Sequence, residues 1–151
     1  MKLLATTVAL VIASAGAWAE DARLVTKRSP HSVAATLDRL TDVLATRGIT
    51  VAARIDHMAG AQKAGQSLKP TQVLIFGNPK LGTPLMQSKR AIGLDLPMKV
   101  LAWEDEAGQV WLTYAKPETL KSDYAVTDRD EVFREMAQAL NNLTDAAIKE
   151  K

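Results

Sequence analysis

The stretch PTQVLIFGNPK, residues Pro70–Lys80, decides the fold. Its four apolar residues, Val73–Phe76, end abruptly at the turn residues Gly77, Asn78 and Pro79. An apolar run bounded by turn residues predicts a central strand that is covered on both faces. A sharp turn beside a buried strand is also where small proteins often place a functional site.

The residues before this stretch predict two strands and two helices. A β-prone run at 23–27 predicts the first strand. Ser29 and Pro30 suit the N-cap and first position of a helix that ends before Gly48. Apolar residues then occupy alternate positions from Ile49 to Ile55, which predicts a second strand with one buried face. A short helix over 58–66 follows.

The residues after the stretch predict a third main helix, a hairpin and a long last helix. Thr83 and Pro84 suit a helix start, and the strands 98–103 and 109–115 flank a polar loop. Asp128 suits the cap of the last helix, whose apolar stripe comprises Val132, Phe133, Met136, Leu140, Leu143, Ala147 and Ile148. The hairpin argues against a wholly parallel sheet. The predicted fold class is therefore α+β: a mixed or antiparallel sheet of about five strands packed against helices as a two-layer sandwich.

The N-terminus predicts export. Lys2 precedes an uncharged apolar segment that ends in Ala17-Trp18-Ala19, so residues 1–19 are expected to be a cleaved signal peptide and 20–151 a single domain. An uncleaved anchor is the alternative. With no glycosylation signal outside a predicted helix, the expected compartment is the periplasm, or the outside of the cell, with no membrane contact after cleavage.

Composition excludes several functions. Cleavage removes one lysine, which lowers the net charge from +2 to +1, and no basic run remains to attract nucleic acid. Because the chain has no cysteine, it cannot form a thiolate nucleophile, an iron–sulfur cluster or a cysteine-ligated zinc site.

The expected site combines His57 with the turn after the third strand. If the second and third strands end side by side, His57 meets Asn78 and Lys80 at one corner, with Lys63 as a further cation for a small ligand. In an enzyme, His57 would be the general acid or base and a lysine would hold an anionic substrate. The structural alternative is that His57 bonds the backbone near Gly77 and locks the strand ends together.

Metal or cofactor binding has little support in the sequence. His31 and His57 are the two histidines, and a zinc or iron site needs about three or four ligands, so no metal site is predicted. Haem held by His57, with Met58 or Met98 as second ligand, is an option that no spacing requires. No cofactor is expected.

Linked motifs carry a family resemblance. They comprise Ile55–His57, Leu68–Thr71, Phe76–Lys80, Thr83–Met86, Leu94–Pro97 and Trp103–Asp105, followed by Gly108 and Tyr114. From Leu24 to Ile148 the chain resembles the domain-of-unknown-function family numbered 302. The resemblance implies a compact α+β domain that is commonly a homodimer, and it implies no activity.

Together these observations favour a non-enzymatic, exported binding or stress-associated module. The alternatives are an enzyme that uses His57 and a purely structural or interaction protein.

Overall fold

A computed structural model describes residues 21–150. The predicted signal peptide lies outside the described residues. Five strands and five α-helices follow one another along the chain: β1 Leu24–Ser29, α1 Val33–Thr46, β2 Thr50–Asp56, α2 His57–Lys63, β3 Thr71–Gly77, α3 Pro79–Ser88, β4 Met98–Glu104, β5 Val110–Ala115, α4 Pro117–Asp123 and α5 Asp130–Ile148. A 3₁₀ turn, Arg90–Leu94, lies between α3 and β4.

The strands form one open antiparallel sheet in the order β1-β5-β4-β3-β2. This confirms the predicted α+β class and the predicted hairpin of β4 and β5. Helices α1 and α5 pack on each other, and α1 covers the sheet. The core joins Leu40 and Phe133 from these helices to Leu74, Val100 and Leu112 from the strands.

The helices cover one face of the sheet, so the prediction that β3 is covered on both faces is wrong. Leu74 and Phe76 are buried beneath the helices. Val73 and Ile75 point the other way, and both are only half-buried. Leu101 of β4 lies opposite Val73 on this second face and is also half-buried. Apolar residues therefore remain partly exposed on the face away from the helices.

The first helix begins later than predicted. Ser29 is the last residue of β1, where it pairs with Val110 and is buried. Its Oγ lies 2.6 Å from Oγ1 of the buried Thr36, so the hydroxyl is used inside the core. Ser32 caps α1 instead, because its Oγ accepts a hydrogen bond of 3.2 Å from the Ala35 N–H.

A β-bulge in β2 overturns its predicted single buried face. Val51 pairs with Phe76 and Ala53 with Ile75, so Ala52 is an extra residue. The extra residue reverses the alternation beyond it. Arg54 therefore turns toward α1, where it pairs with Asp38, while Ile55 is 44% exposed.

The last helix is held to the sheet by a lysine. Lys27 Nζ on β1 donates to Thr144 Oγ1 at 2.9 Å and to the Asn141 carbonyl at 3.1 Å, and it pairs with Asp145 at 2.6 Å. The Lys27 side chain is only 15% exposed.

Asp128, the predicted cap of α5, instead accepts a hydrogen bond from the Ser88 hydroxyl, and Arg129 precedes the helix.

Asp105 fixes the conformation of the loop between β4 and β5 by accepting three hydrogen bonds. Asp105 accepts from the Trp111 indole at 2.7 Å and from the Gln109 and Ala107 N–H groups at 2.9 Å each. The Trp111 hydrogen bond is the main reason why the pKa of Asp105 lies below its usual range. Trp103 faces Trp111 across the hairpin, with ring centroids 6.5 Å apart.

Candidate functional site

The expected corner site does not form, because β2 and β3 pair antiparallel. Thr50 lies opposite Gly77, and Asp56 lies opposite Gln72. His57 follows Asp56, so it lies at the end of the pair away from the turn after Gly77. The six residue steps from 50 to 56 span about 20 Å of strand. The prediction that His57 meets Asn78 and Lys80 is wrong in its geometry.

His57 opens α2 as an exposed side chain. Its neighbour Asp56 does not orient it: Asp56 Oδ1 caps α2 at the Ala59 N–H, 2.9 Å away, and Oδ2 accepts from Gln72 at 3.0 Å. Within residues 21–150 the imidazole has no hydrogen-bond partner, so His57 does not lock the strand ends. Lys63, at the other end of α2, is also exposed.

The turn after β3 uses its polar groups to start α3. Asn78 Oδ1 accepts from the Lys80 N–H at 3.0 Å, and the Asn78 carbonyl accepts from Leu81 and Gly82 at 3.0 Å each. Pro79 takes the first position of α3, where a missing N–H costs nothing. The predicted start at Thr83 is therefore wrong by about one turn, and Pro84 lies inside the helix.

Gly77 is needed for space. A Cβ at this position would lie 2.9 Å from Cβ of Pro97, closer than carbon atoms pack. Its φ is outside the left-handed region. The backbone conformation therefore does not require glycine at this position, and the close approach of Pro97 does. The glycine allows the loop before β4 to lie directly against the end of β3.

A cavity of about 450 Å³ opens beside this turn. We call it the apolar cleft. It lies between the β2–β3 end of the sheet, α3, the loop before β4 and α5. Its walls include Phe76, Leu81, Met86, Met98, Met136 and Leu140.

The walls of the apolar cleft carry no charged side chain among the described residues. The polar side chains on its surface are those of Thr50, Asn78 and Thr83. Asn78 is thus the one predicted site residue that reaches the cleft, whereas His57, Lys63 and Lys80 do not line it. Because the described walls carry no titratable side chain that could activate the two threonine hydroxyls, the cleft has the composition of a binding pocket.

A metal ion would find no ready site in residues 21–150. No group of three or more His, Asp or Glu side chains comes together there. His31 lies before α1, where Nε2 is 3.3 Å from the Lys149 carbonyl, and His57 is at the far end of β2.

Three of the four methionines in the described residues line the apolar cleft. The Met side chain is flexible and polarizable, so it adapts to ligands of different shape. Sequence analysis identified Met136, Leu140 and Leu143 as the apolar stripe of α5 but not as a pocket wall. One helical face supplies both core and cleft, and periodicity does not separate the two.

A cluster of three polar side chains, Asp95, Lys99 and Tyr124, lies near a smaller cavity of about 280 Å³. Tyr124 donates a hydrogen bond of 2.7 Å to Asp95, and Lys99 pairs with Asp95 at 3.6 Å. The hydrogen bond to Asp95 raises the pKa of Tyr124 above its usual value. Asp95 and Lys99 are about half-exposed, and their pairing satisfies both charges.

The family model described as "Domain of unknown function DUF302" matches residues 25–143. The chain belongs to the DUF302 family. A DUF302 protein from Bacillus stearothermophilus, described as an uncharacterized conserved protein, has a crystal structure with the same fold. The TM-score is 0.68 at 19% identity, over 85% of this chain and 97% of that one.

This DUF302 chain is also similar to curated proteins named fluoride-specific ion channel. The protein named FluC 1 from Brucella suis is 51% identical over 106 residues, which are 70% of this chain and 42% of that protein. FluC 1 from Brucella abortus shows the same identity over 39% of its length. The chain thus spans about two-fifths of these relatives. In residues 21–150, no helix is long and apolar enough to cross a membrane.

Proposed function

We propose that this DUF302 protein is a non-enzymatic binding module for small, mainly apolar molecules and that it works after export to the periplasm. The apolar cleft carries this proposal. Its volume of about 450 Å³ falls within the roughly 300–1,000 Å³ usual for small-molecule sites. Apolar walls with a few polar groups are the usual composition of such sites.

The position of the cleft supports binding over acid–base catalysis. His57 is the residue that sequence analysis favours as general acid or base, and it lies about 20 Å of strand away from the turn beside the cleft. A catalytic acid or base must reach its substrate at hydrogen-bond distance. An enzyme that uses His57 with Lys63 would need a separate substrate site, and haem bound through His57 stays a prediction.

A cavity-filling variant tests the proposal. Gly82 lines the cleft from within α3, and a Cβ added there would be 3.8 Å from the nearest atom, Leu96 Cδ1. The backbone therefore accepts Gly82→Leu, whose side chain enters the cleft. Gly60→Leu is the matched control, because Gly60 lies within helix α2, has no atom within 4 Å of an added Cβ and does not line the cleft.

The assay is binding of the neutral fluorescent probe N-phenyl-1-naphthylamine, followed by a thermal-shift screen of small apolar compounds. We expect saturable probe binding by the wild type and the Gly60→Leu variant, and at least a tenfold loss in the Gly82→Leu variant. Circular dichroism checks that both variants fold. No binding by the wild type, or equal binding by the Gly82→Leu variant, would overturn the proposal.

Export and self-association belong to the same proposal and have their own tests. The mass of the purified native protein should correspond to a chain that begins at Glu20. The half-buried apolar residues Val73, Ile75 and Leu101 on the helix-free face support a homodimer. Sedimentation equilibrium should then give twice the mass of the mature chain, and a monomer at micromolar concentration would contradict the dimer.

A second candidate function follows from the Brucella relatives. Their 51% identity favours a role for this domain alongside a fluoride-specific channel, in fluoride resistance. The test is growth of the native host in sodium fluoride with and without the gene. Greater fluoride sensitivity of the deletion strain, restored by the gene, supports this role, and equal growth contradicts it.

A further inference from the structure

The first turn of α3, at the mouth of the apolar cleft, has no backbone donors left for a ligand. A helix N-terminus normally offers free N–H groups that favour an anion. At the start of α3, Pro79 has no N–H, Lys80 donates to the Asn78 side chain, and Leu81 and Gly82 donate to the Asn78 carbonyl. The start of α3 therefore offers no free N–H group to an anion.

Among residues 21–150, the cleft walls offer no charge to replace those donors. None of the lining residues is Lys, Arg, His, Asp or Glu. Lys80, two positions after Asn78, is exposed and does not line the cleft. A carboxylate that left water for these walls would lose its hydration without gaining an ion pair, which is strongly unfavourable.

The cleft retains a small capacity for neutral hydrogen bonds. The hydroxyls of Thr50 and Thr83 and the NH₂ group of Asn78 have no partner within residues 21–150. Hydroxyl and amide groups pair well with an alcohol, phenol or carbonyl. The volume is about three times the roughly 150 Å³ of a cavity that holds benzene, which suits a two-ring or medium-chain molecule.

We infer that the ligand of the apolar cleft is an uncharged lipophilic molecule that carries one or two hydroxyl or carbonyl groups, and that the cleft rejects carboxylates of the same size. This inference rests on the proposed function and specifies the class of ligand. It also separates the cleft from the small anionic substrate expected for an enzyme that uses His57.

The test compares matched ligands that differ in charge. 1-Decanol and decanoate have the same chain length, and both compete at pH 7 with N-phenyl-1-naphthylamine for the wild-type protein. We expect 1-decanol to displace the probe at a concentration at least tenfold lower than decanoate. The apparent affinity of decanoate should rise as the pH falls toward the pKa of its own carboxyl group, because the neutral acid is the form that enters.

A charge added to the wall gives a second, independent measurement. Thr83 lies on α3, lines the cleft and is exposed. Thr83→Arg therefore places a guanidinium beside the cleft without burying the charge in the core. Gln87→Arg on the same helix is the control, because Gln87 is exposed and does not line the cleft. We expect Thr83→Arg to raise the affinity for decanoate relative to that for 1-decanol at least fivefold, and Gln87→Arg to leave this ratio unchanged.

The outcomes separate the two proposals. If decanoate displaces the probe as well as 1-decanol does at pH 7, the inference of a neutral ligand is overturned while the binding function stands. If Thr83→Arg has no effect on decanoate, the role assigned to wall charge is overturned. If neither ligand displaces the bound probe, the inference is overturned while the binding function stands. If the wild type binds no probe, or if the Gly82→Leu variant binds the probe as well as the wild type does, the binding function fails and the inference fails with it.

Discussion

Replacing each of three glycines near the apolar cleft by alanine should change the stability of the protein by a different amount. The substitution should be destabilising at one position and stabilising at another. A Cβ at Gly77 would lie 2.9 Å from Pro97 Cβ, whereas a Cβ at Gly93 would lie 3.2 Å from Met86 Sδ and one at Gly82 3.8 Å from its nearest neighbour. The obstacle at Gly77 is a proline ring atom beside the backbone, which cannot rotate away. The obstacle at Gly93 is part of a flexible thioether chain, which can.

The magnitudes follow from these contacts. Overpacking costs about 1–3 kcal/mol, and replacing glycine by alanine returns about 0.5–1 kcal/mol of backbone entropy. Gly77→Ala should therefore destabilise the protein by up to about 2.5 kcal/mol. Gly82→Ala, inside α3 and free of contact, should stabilise it by about 0.5–1 kcal/mol. Gly93→Ala should fall between the two.

Urea unfolding followed by circular dichroism measures this order directly. The midpoint should rise from Gly77→Ala through Gly93→Ala to Gly82→Ala, with unchanged slopes, since the variants alter the folded state only locally. Probe binding should also weaken in Gly77→Ala, because movement of Pro97 deforms a wall of the cleft. A Gly77→Ala variant as stable as Gly82→Ala would refute the close approach of the strand end and the loop.

Other parts of the fold make separate predictions. Lys27→Met should lower the free energy of unfolding by about 1.5–3 kcal/mol, since it removes charged hydrogen bonds from a side chain that is 15% exposed. Lys121→Met is the control: it breaks the more exposed pair with Asp130 and should lower the free energy of unfolding by less than about 1 kcal/mol in the same urea titration. The hydrogen bond from Trp111 lowers the folded-state pKa of Asp105. The contribution of this carboxylate to stability is therefore present above its unfolded pKa of about 3.9 and is lost as the pH falls through the folded value. Melting curves from pH 5 to 2.5 should accordingly fall less steeply for Asp105→Asn than for the wild type, and parallel curves would contradict this. His57→Ala should leave the free energy of unfolding unchanged, because the imidazole is exposed and makes no hydrogen bond in the described part of the chain. A decrease of more than about 1 kcal/mol in that free energy would show that His57 has a partner.

Sequence patterns predicted the elements better than their relation to one another. The strand Val73–Phe76, the β4–β5 hairpin and the apolar stripe of α5 follow from local periodicity and turn residues, and the structure contains all three. The start of α1 and the facing of β2 depend on tertiary contacts. Ser29 stays in β1 because it meets buried Thr36, and the bulge at Ala52 reverses a pattern that reads as regular.

The direction of β3 relative to β2 determined the error in the expected site. A strand, a short helix and a strand in sequence resemble a crossover unit, whose strands run parallel and end side by side. Here α2 is only seven residues long, and β3 returns antiparallel beside β2. The carboxyl ends of β2 and β3, which would be neighbours in a parallel pair, therefore lie at opposite ends of this antiparallel pair. This arrangement separates His57 from Asn78.

The stretch that resembles a site most strongly in sequence has its polar groups committed to structure. Asn78 caps α3 with both its side chain and its carbonyl, and Gly77 makes room for Pro97. These commitments fix α3 and the loop before β4 at a separation from the sheet end that leaves a cavity between them. In the proposed binding function, the turn acts by holding the apolar walls apart, and specificity comes from the size of the space, its lack of charge among the described residues and the neutral polar groups of Thr50, Asn78 and Thr83.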